Sequence, residues 1–202
     1  ILDALNQPFL LGKEETFISG SMGITICPDD GTDATQLLKN ADAAMYRAKE
    51  QGKANYQFYT ADLNDAVKER LVLKNSLSRA MDHDEFSLFY QPKLDIQSHK
   101  ITGVEALLRW DSKDLGSVSP GRFIPVLEET GAISQIGAWV LRTACEQHRA
   151  WRESGFDVRI AVNLSARQMR QADLSESIAR CMRDIGIDSS GLEIEITENM
   201  LM

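Results

Sequence analysis

The run GVEALLRW, Gly103 to Trp110, has the apolar content of a buried strand yet carries Glu105 and Arg109. An ionised side chain is costly to bury unless a partner or a metal ion compensates it. Side chains alternate along a strand. Glu105, Leu107 and Arg109 therefore share one face, and Val104, Ala106, Leu108 and Trp110 the other. Two arrangements account for the charged face. Either Glu105 and Arg109 pair with each other on an edge strand, or they line a site that binds a cation and an anion.

Two later strands repeat the pattern. In IAVNLSA, residues 160–166, one face carries Ala161, Asn163 and Ser165. In LEIEITE, residues 192–198, it carries Glu193, Glu195 and Thr197. Three successive strands thus each project an oxygen-bearing side chain from an apolar context. In a β/α barrel such residues meet inside, near the C-terminal ends of the strands, where the active site lies. Two carboxylates and an amide converging there would lack partners. Mg2+ or Mn2+, which take carboxylate, carbonyl and water oxygens, would supply one. Arg109, two pleats beyond Glu105, could hold a substrate anion with both arms of its guanidinium.

Working outward, FSLFYQPKLDI (86–96) reads as a strand, with Pro92 marking a break or an edge position. SPGRFIPVLEETG (119–131) is a loop and short helix. Residues 134–154 form a long helix with Ile136, Val140, Ala144 and Trp151 along one side. Residues 171–185 form another, with Leu174, Ile178, Met182 and Ile185 inward and Gly186 closing it. Strands alternating with helices imply parallel βα units, an α/β class.

Upstream, FISGSMGITIC (17–27) reads as a strand and PDDG as a turn. Asp33 is placed to cap the next helix, with Gln36 three residues on as in a capping box. Leu37, Leu38, Ala41, Met45 and Ala48 follow at helical spacing up to Gly52, and NYQFYT (55–60) is a short strand. From Ala61 to Met81 a helical pattern runs without Pro or Gly. It reads as the join between two domains, residues 1–60 and 61–202, with the boundary near Tyr59 to Asp62.

The net charge of −8 over 202 residues argues against non-specific DNA binding, while a few Lys or Arg still suffice for a local phosphate site. Cys27, Cys145 and Cys181 are odd in number and far apart, so they read as reduced core thiols of a cytoplasmic chain. His83, His99 and His148 show no zinc-like spacing. No apolar run approaches the ~20 residues of a membrane-spanning helix. The chain begins at Ile1 and stops just after a strand-like run, so the expectation is a piece of a longer protein. A membrane anchor would then belong to parts not in this sequence.

YQPK, EALLRW, SPGRFIPVLEETG, VNLSARQ and EIEITE occur in the order and spacing of the EAL domain, the cyclic di-GMP phosphodiesterase family. The resemblance covers about residues 72–202, the first half of such a domain. The N-terminal stretch, with ADAAMYRAK its most specific part, resembles the last third of a GGDEF domain, the diguanylate cyclase fold. The implied architecture is a partial GGDEF α/β sandwich joined by a helix to the first half of a TIM-like barrel with one antiparallel strand.

The EAL resemblance implies that Glu105, Asn163 and Glu195 ligate Mg2+ or Mn2+, with Glu105 also catalytic. It implies that Glu198 steadies a neighbouring active-site loop and that Gln91 and Arg109 contact the substrate. The implied reaction is metal-assisted hydrolysis of cyclic di-GMP to pGpG. Members often dimerise, so a homodimer through this domain is implied as well. The family's later residues, an Asp pair, a Lys, a Glu and a Gln, would fall after Met202, so this stretch alone would be inactive. The alternative is a cyclic di-GMP receptor or protein-interaction module without catalysis. On the GGDEF side, Lys49 resembles a triphosphate-contacting lysine, and Lys53 stands where the family more often has Arg. Both also suit the C-terminal end of a helix, where Lys complements the macrodipole.

Overall fold

A computed structural model describes residues 1–5, 7–12 and 14–196. The chain divides into two compact units, Ile1–Val72 and Leu73–Met202.

The first unit opens with α1 (Leu2–Leu5) and an antiparallel ribbon of β1 (Phe9–Leu11) and β2 (Glu14–Thr16). β3 (Met22–Ile24), α2 (Ala34–Glu50) and β4 (Tyr56–Phe58) then form a strand–helix–strand crossover, with β3 and β4 parallel. α2 begins where the Asp33 carboxylate accepts the Gln36 amide at 3.0 Å. The expected capping box is only half made, because the Gln36 side chain donates to Asn40 Oδ1 at 2.9 Å. Buried Asn40 also donates to the Asp30 carbonyl at 2.7 Å, tying the helix to the preceding turn.

The strand expected over residues 17–27 is three residues long. Its continuation is cut short because Ile26 bonds into the turn. The Ile26 amide donates to Asp30 Oδ2 at 2.7 Å and its carbonyl accepts the Asp30 amide at 2.8 Å. Gly23 lies hard against α2, where a Cβ would stand 1.8 Å from the Ala41 carbonyl oxygen.

α3 (Asp62–Ala80) is unbroken. Leu63 packs with Ala43 and Ala44 in the first unit, whereas Leu73, Leu77 and Ala80 belong to the core of the second.

The second unit contains β5 (Phe86–Leu94), β6 (Ile101–Ser112), β7 (Gly116–Val118), α4 (Pro120–Thr130), α5 (Ile133–Glu153), β8 (Arg159–Asn163), α6 (Ala166–Met169), α7 (Leu174–Ile185) and β9 (Leu192–Glu195). The sheet order is β5-β6-β8-β9, with β7 beside the end of β6. β6, β8 and β9 are parallel, as the βα alternation implies. β5 runs antiparallel to β6, because a tight turn and no helix joins them. In that turn Asp95 accepts the Ser98 amide at 2.7 Å and the Ser98 hydroxyl at 2.6 Å. Pro92 lies within β5, the terminal strand of the sheet path, where a missing donor is tolerated.

The core fills one face of this sheet. Val104, Ala106, Trp110, Ile160 and Val162 pack with Phe123, Val126 and Leu127 of α4 and Ile136, Val140 and Ala144 of α5. Trp110 stacks on Phe86 at 6.2 Å and meets Phe123 edge-on at 5.7 Å. On α5 the expected inward residues hold, although Trp151 is only half-buried and instead meets the ring of Tyr90 at 4.9 Å. Ser165 leaves the β8 strand face altogether. It is the N-cap of α6 and forms a reciprocal capping box with Gln168. Cys145 and Cys181 are core thiols as expected, but Cys27 is exposed, on the loop that follows β3. Among the described residues no helix is long and apolar enough to cross a membrane.

Candidate functional site

The face of the sheet opposite the core carries the polar residues. β6 is flanked by β5 on one side and β8 on the other, so the edge-strand explanation of its two charges fails. Glu105 and Arg109 take separate partners. The Asn163 side-chain amide donates to Glu105 Oε1 at 2.7 Å. Arg109 donates to the Leu108 carbonyl at 2.9 Å and lies over the Phe89 ring, 5.6 Å from its centroid.

Strand register explains why these residues meet. Gln91 of β5 lies directly opposite Glu105 of β6. Glu105 is in register with Ala161 of β8, one pleat before Asn163, and Asn163 is in register with Glu195 of β9. Gln91, Glu105, Asn163 and Glu195 thereby form one band across four strands. Arg109 lies four residues further along β6, ~13 Å at the rise of a strand. Lys49, in the last turn of α2, and Lys53, in the turn beyond it with φ 61°, are both exposed residues of the other unit. Glu198 and Thr197 lie outside the described residues.

A cleft of about 270 Å³ lies between residues 106–109 of β6, the end of β8 and helices α4 and α5, and its lining does not include Gln91, Glu105 or Glu195. Arg109, Asn163, Ile124 of α4 and Gly137 of α5 are among the residues lining it. Its walls are largely aliphatic, with a few convergent polar groups, the usual make-up of a small-molecule site.

Sequence reading gave no role to Lys93, Arg159 or Glu193. The Lys93 ammonium donates to Glu195 Oε1 and, at 3.0 Å, to Glu193 Oε1. Arg159 donates to the other Glu193 oxygen at 3.2 Å. The bond from Lys93 is the main reason the Glu193 carboxyl sits below its ordinary range, and the bond to Glu195 is the main reason the Lys93 ammonium sits above its own. The signal for Lys93 was present in the sequence. It stands two residues beyond Gln91 and so shares its face.

No group of three or more His, Cys, Asp or Glu side chains forms a ready metal cage among the described residues. Glu105, Glu195 and Asn163 would offer only oxygen ligands to an ion, Asn163 through its Oδ1 while its Nδ2 faces Glu105. This donor chemistry fits a hard divalent cation that keeps several waters, and does not fit zinc.

Family models match the chain in two places, "Diguanylate cyclase, GGDEF domain" over residues 1–55 and "EAL domain" over residues 74–202. Among curated relatives, the bifunctional diguanylate cyclase/cyclic di-GMP phosphodiesterase MucR of Pseudomonas aeruginosa is 41% identical over 203 residues, covering 100% of this chain and 30% of MucR. The cyclic di-GMP phosphodiesterase PdeR of Escherichia coli is 35% identical over 202 residues, again 100% of this chain and 30% of PdeR. The chain thus spans about a third or less of the length of these relatives. A solved structure described as PaMucR phosphodiesterase in complex with c-di-GMP aligns with a TM-score of 0.62 and 42% identity, over 64% of this chain and 53% of that one. The antiparallel β5, the parallel strands after it and the five motifs in register agree with these matches, and the chain belongs to the EAL domain family, preceded by a GGDEF segment in tandem.

Proposed function

We propose that the protein hydrolyses cyclic di-GMP to linear pGpG, with this chain supplying the first half of the active site. The observation that carries the reading is the band in which Asn163 bonds Glu105 at 2.7 Å and stands in register with Glu195. Glu105, Asn163 and Glu195 would hold Mg2+ or Mn2+. When bound, such a cation lowers the pKa of water and stabilises charge on a phosphodiester.

The chain's own residues bind and orient the substrate. Arg109, in the lining of the cleft and in contact with the Phe89 ring and the Leu108 carbonyl, offers guanidinium donors to a phosphate. Gln91, opposite Glu105, offers an amide beside the same carboxylate. Ile124 and its aliphatic neighbours give an apolar wall that excludes water from one side of the cleft. Glu198, which lies outside the described residues, takes by the EAL resemblance the role of steadying a neighbouring active-site loop. In the GGDEF segment, Lys49 and Lys53 contact a nucleotide phosphate. The setting is cytoplasmic, and the EAL domain pairs with a second copy of itself.

The test is incubation of the full-length protein with cyclic di-GMP and Mg2+, with and without chelator, following pGpG by chromatography. Chelator-sensitive pGpG that disappears in Glu105→Ala, with an unchanged far-UV spectrum, is the expected result. Undiminished turnover in Glu105→Ala would remove the assignment. Tight cyclic di-GMP binding without pGpG would make the protein a receptor.

A further inference from the structure

We infer that Lys93 is a positioning residue for Glu195, a brace from the opposite edge of the sheet that orients this carboxylate toward the cation site. The inference rests on the metal-site reading above and adds a residue to it.

Lys93 is on β5 and Glu195 on β9, the two ends of the sheet path among the described residues. Three strand spacings in a flat sheet amount to ~14 Å. The contact between their side chains therefore requires the sheet to curl, with Lys93 crossing its concave face. The same ammonium bonds Glu193, which precedes Glu195 by two residues on the same face. Two carboxylates so placed repel each other, and one ammonium between them removes that repulsion.

The two carboxylates are used differently. Both Glu193 oxygens are taken, Oε1 by Lys93 and Oε2 by Arg159. Glu195 is bonded by Lys93 through Oε1, which leaves Oε2 for a cation, and its backbone stands in register with Asn163 on the neighbouring strand. Glu193 is thus a structural bridge and Glu195 a ligand with a fixed orientation. Groups that orient metal ligands from behind change metal affinity by about ten- to a hundredfold when removed.

The experiment is titration of Mg2+ and Mn2+ into the metal-free full-length protein by calorimetry, with metal-free melting curves beside it. Lys93→Met, which keeps the length and loses the charge, should weaken cation binding about tenfold or more. Lys93→Arg should restore most of it. In a Glu195→Gln background, Lys93→Met should cost nothing further, because its effect passes through that carboxylate. If Lys93→Met destroys the melting transition, Lys93→Gln is read in its place. Unchanged or tighter cation binding in the Lys93 variants would overturn the inference, tighter binding meaning that the ammonium competes with the cation. Glu105→Ala separates the two ideas. If it also leaves binding intact, the cation site itself is wrong. If it abolishes binding while Lys93→Met does not weaken it, only the brace is wrong.

Discussion

Asn163 Nδ2 donates to Glu105 Oε1 at 2.7 Å and ties β8 to β6 on the face away from the core. The two residues are 58 positions apart in sequence, so the bond exists only once β6 and β8 have paired in the observed register. Asn163→Ala removes the donor and one oxygen of the band together. Cation affinity and kcat/KM should each fall about ten- to a hundredfold, while the melting temperature stays close to that of the parent because Asn163 is exposed. Calorimetry and steady-state kinetics on the same preparation check this. Wild-type cation affinity in Asn163→Ala would exclude a ligand role.

Glu85 is the buried carboxylate that anchors Trp110. It accepts the indole Nε1–H at 3.0 Å and the Lys113 amide at 3.3 Å. Burial pushes its pKa upward, but these hydrogen bonds, with His83 and Lys113 nearby, outweigh it and leave the carboxyl below its ordinary value. A depressed carboxyl stabilises the fold above the unfolded-state pKa, about 4.3 for Glu, and loses that contribution as pH falls through the folded value. Glu85→Ala should cost about 1–3 kcal/mol at neutral pH by leaving the Trp110 donor unpaired. Glu85→Gln should keep part of that stability and lose its steepest acid dependence below about pH 4. Urea melts at pH 7 and pH 4 compare the three proteins.

His148 adds a second loss of stability on acidification, in a higher pH range. Its ring is buried in α5 against Gly191, where a Cβ would come within 2.5 Å of it, and neither ring nitrogen has a hydrogen-bond partner among the described residues. Burial is the main cause that lowers its pKa, opposed by Asp157 at 3.9 Å. The unfolded chain therefore binds the proton more readily than the folded one. Stability should fall as pH drops below about 6.5, the ordinary histidine value. His148→Leu should flatten the melting temperature between about pH 6.5 and 5. An equally steep profile in His148→Leu would assign the dependence to another group.

The thiols should separate by reactivity. Burial pushes the Cys145 thiol up to about 12 and raises that of Cys181, whereas Cys27 is exposed. A thiol reagent at pH 8 should therefore label Cys27 in the native protein and reach Cys145 and Cys181 only after unfolding, since the thiolate is the reactive form. Peptide mapping after a short labelling pulse shows which sites react. Native labelling of Cys145 would contradict its burial.

Much of the architecture was legible locally. The 3.6-residue spacing of Ile136, Val140 and Ala144 marks the buried face of α5, and Asp33 marks the start of α2. Strand alternation separates Glu105 and Arg109 from Val104, Ala106 and Trp110, because consecutive side chains must point to opposite faces. Alternation also places Asn163 and Glu195 on polar strand faces. These features depend on neighbours within one element, and one chain segment carries all the information needed.

What alternation leaves undetermined is which strand lies beside which, and in what register. Glu105 faces two candidate partners in the sequence, Arg109 four residues away and Asn163 at a distance of 58. Only the parallel pairing of β6 with β8 selects the second. The shortening of β3 depends on a turn that takes the Ile26 backbone groups, and Ser165 leaves the strand face because it caps a helix. Lys93 is the clearest case. Its place on a polar face follows from the sequence, but its bonds to Glu193 and Glu195 need a sheet curled enough to bring its first strand across to its last. The curl is a collective property of twisted, packed strands, so no single segment carries it, and it alone decides that a lysine from β5 meets the carboxylates of β9.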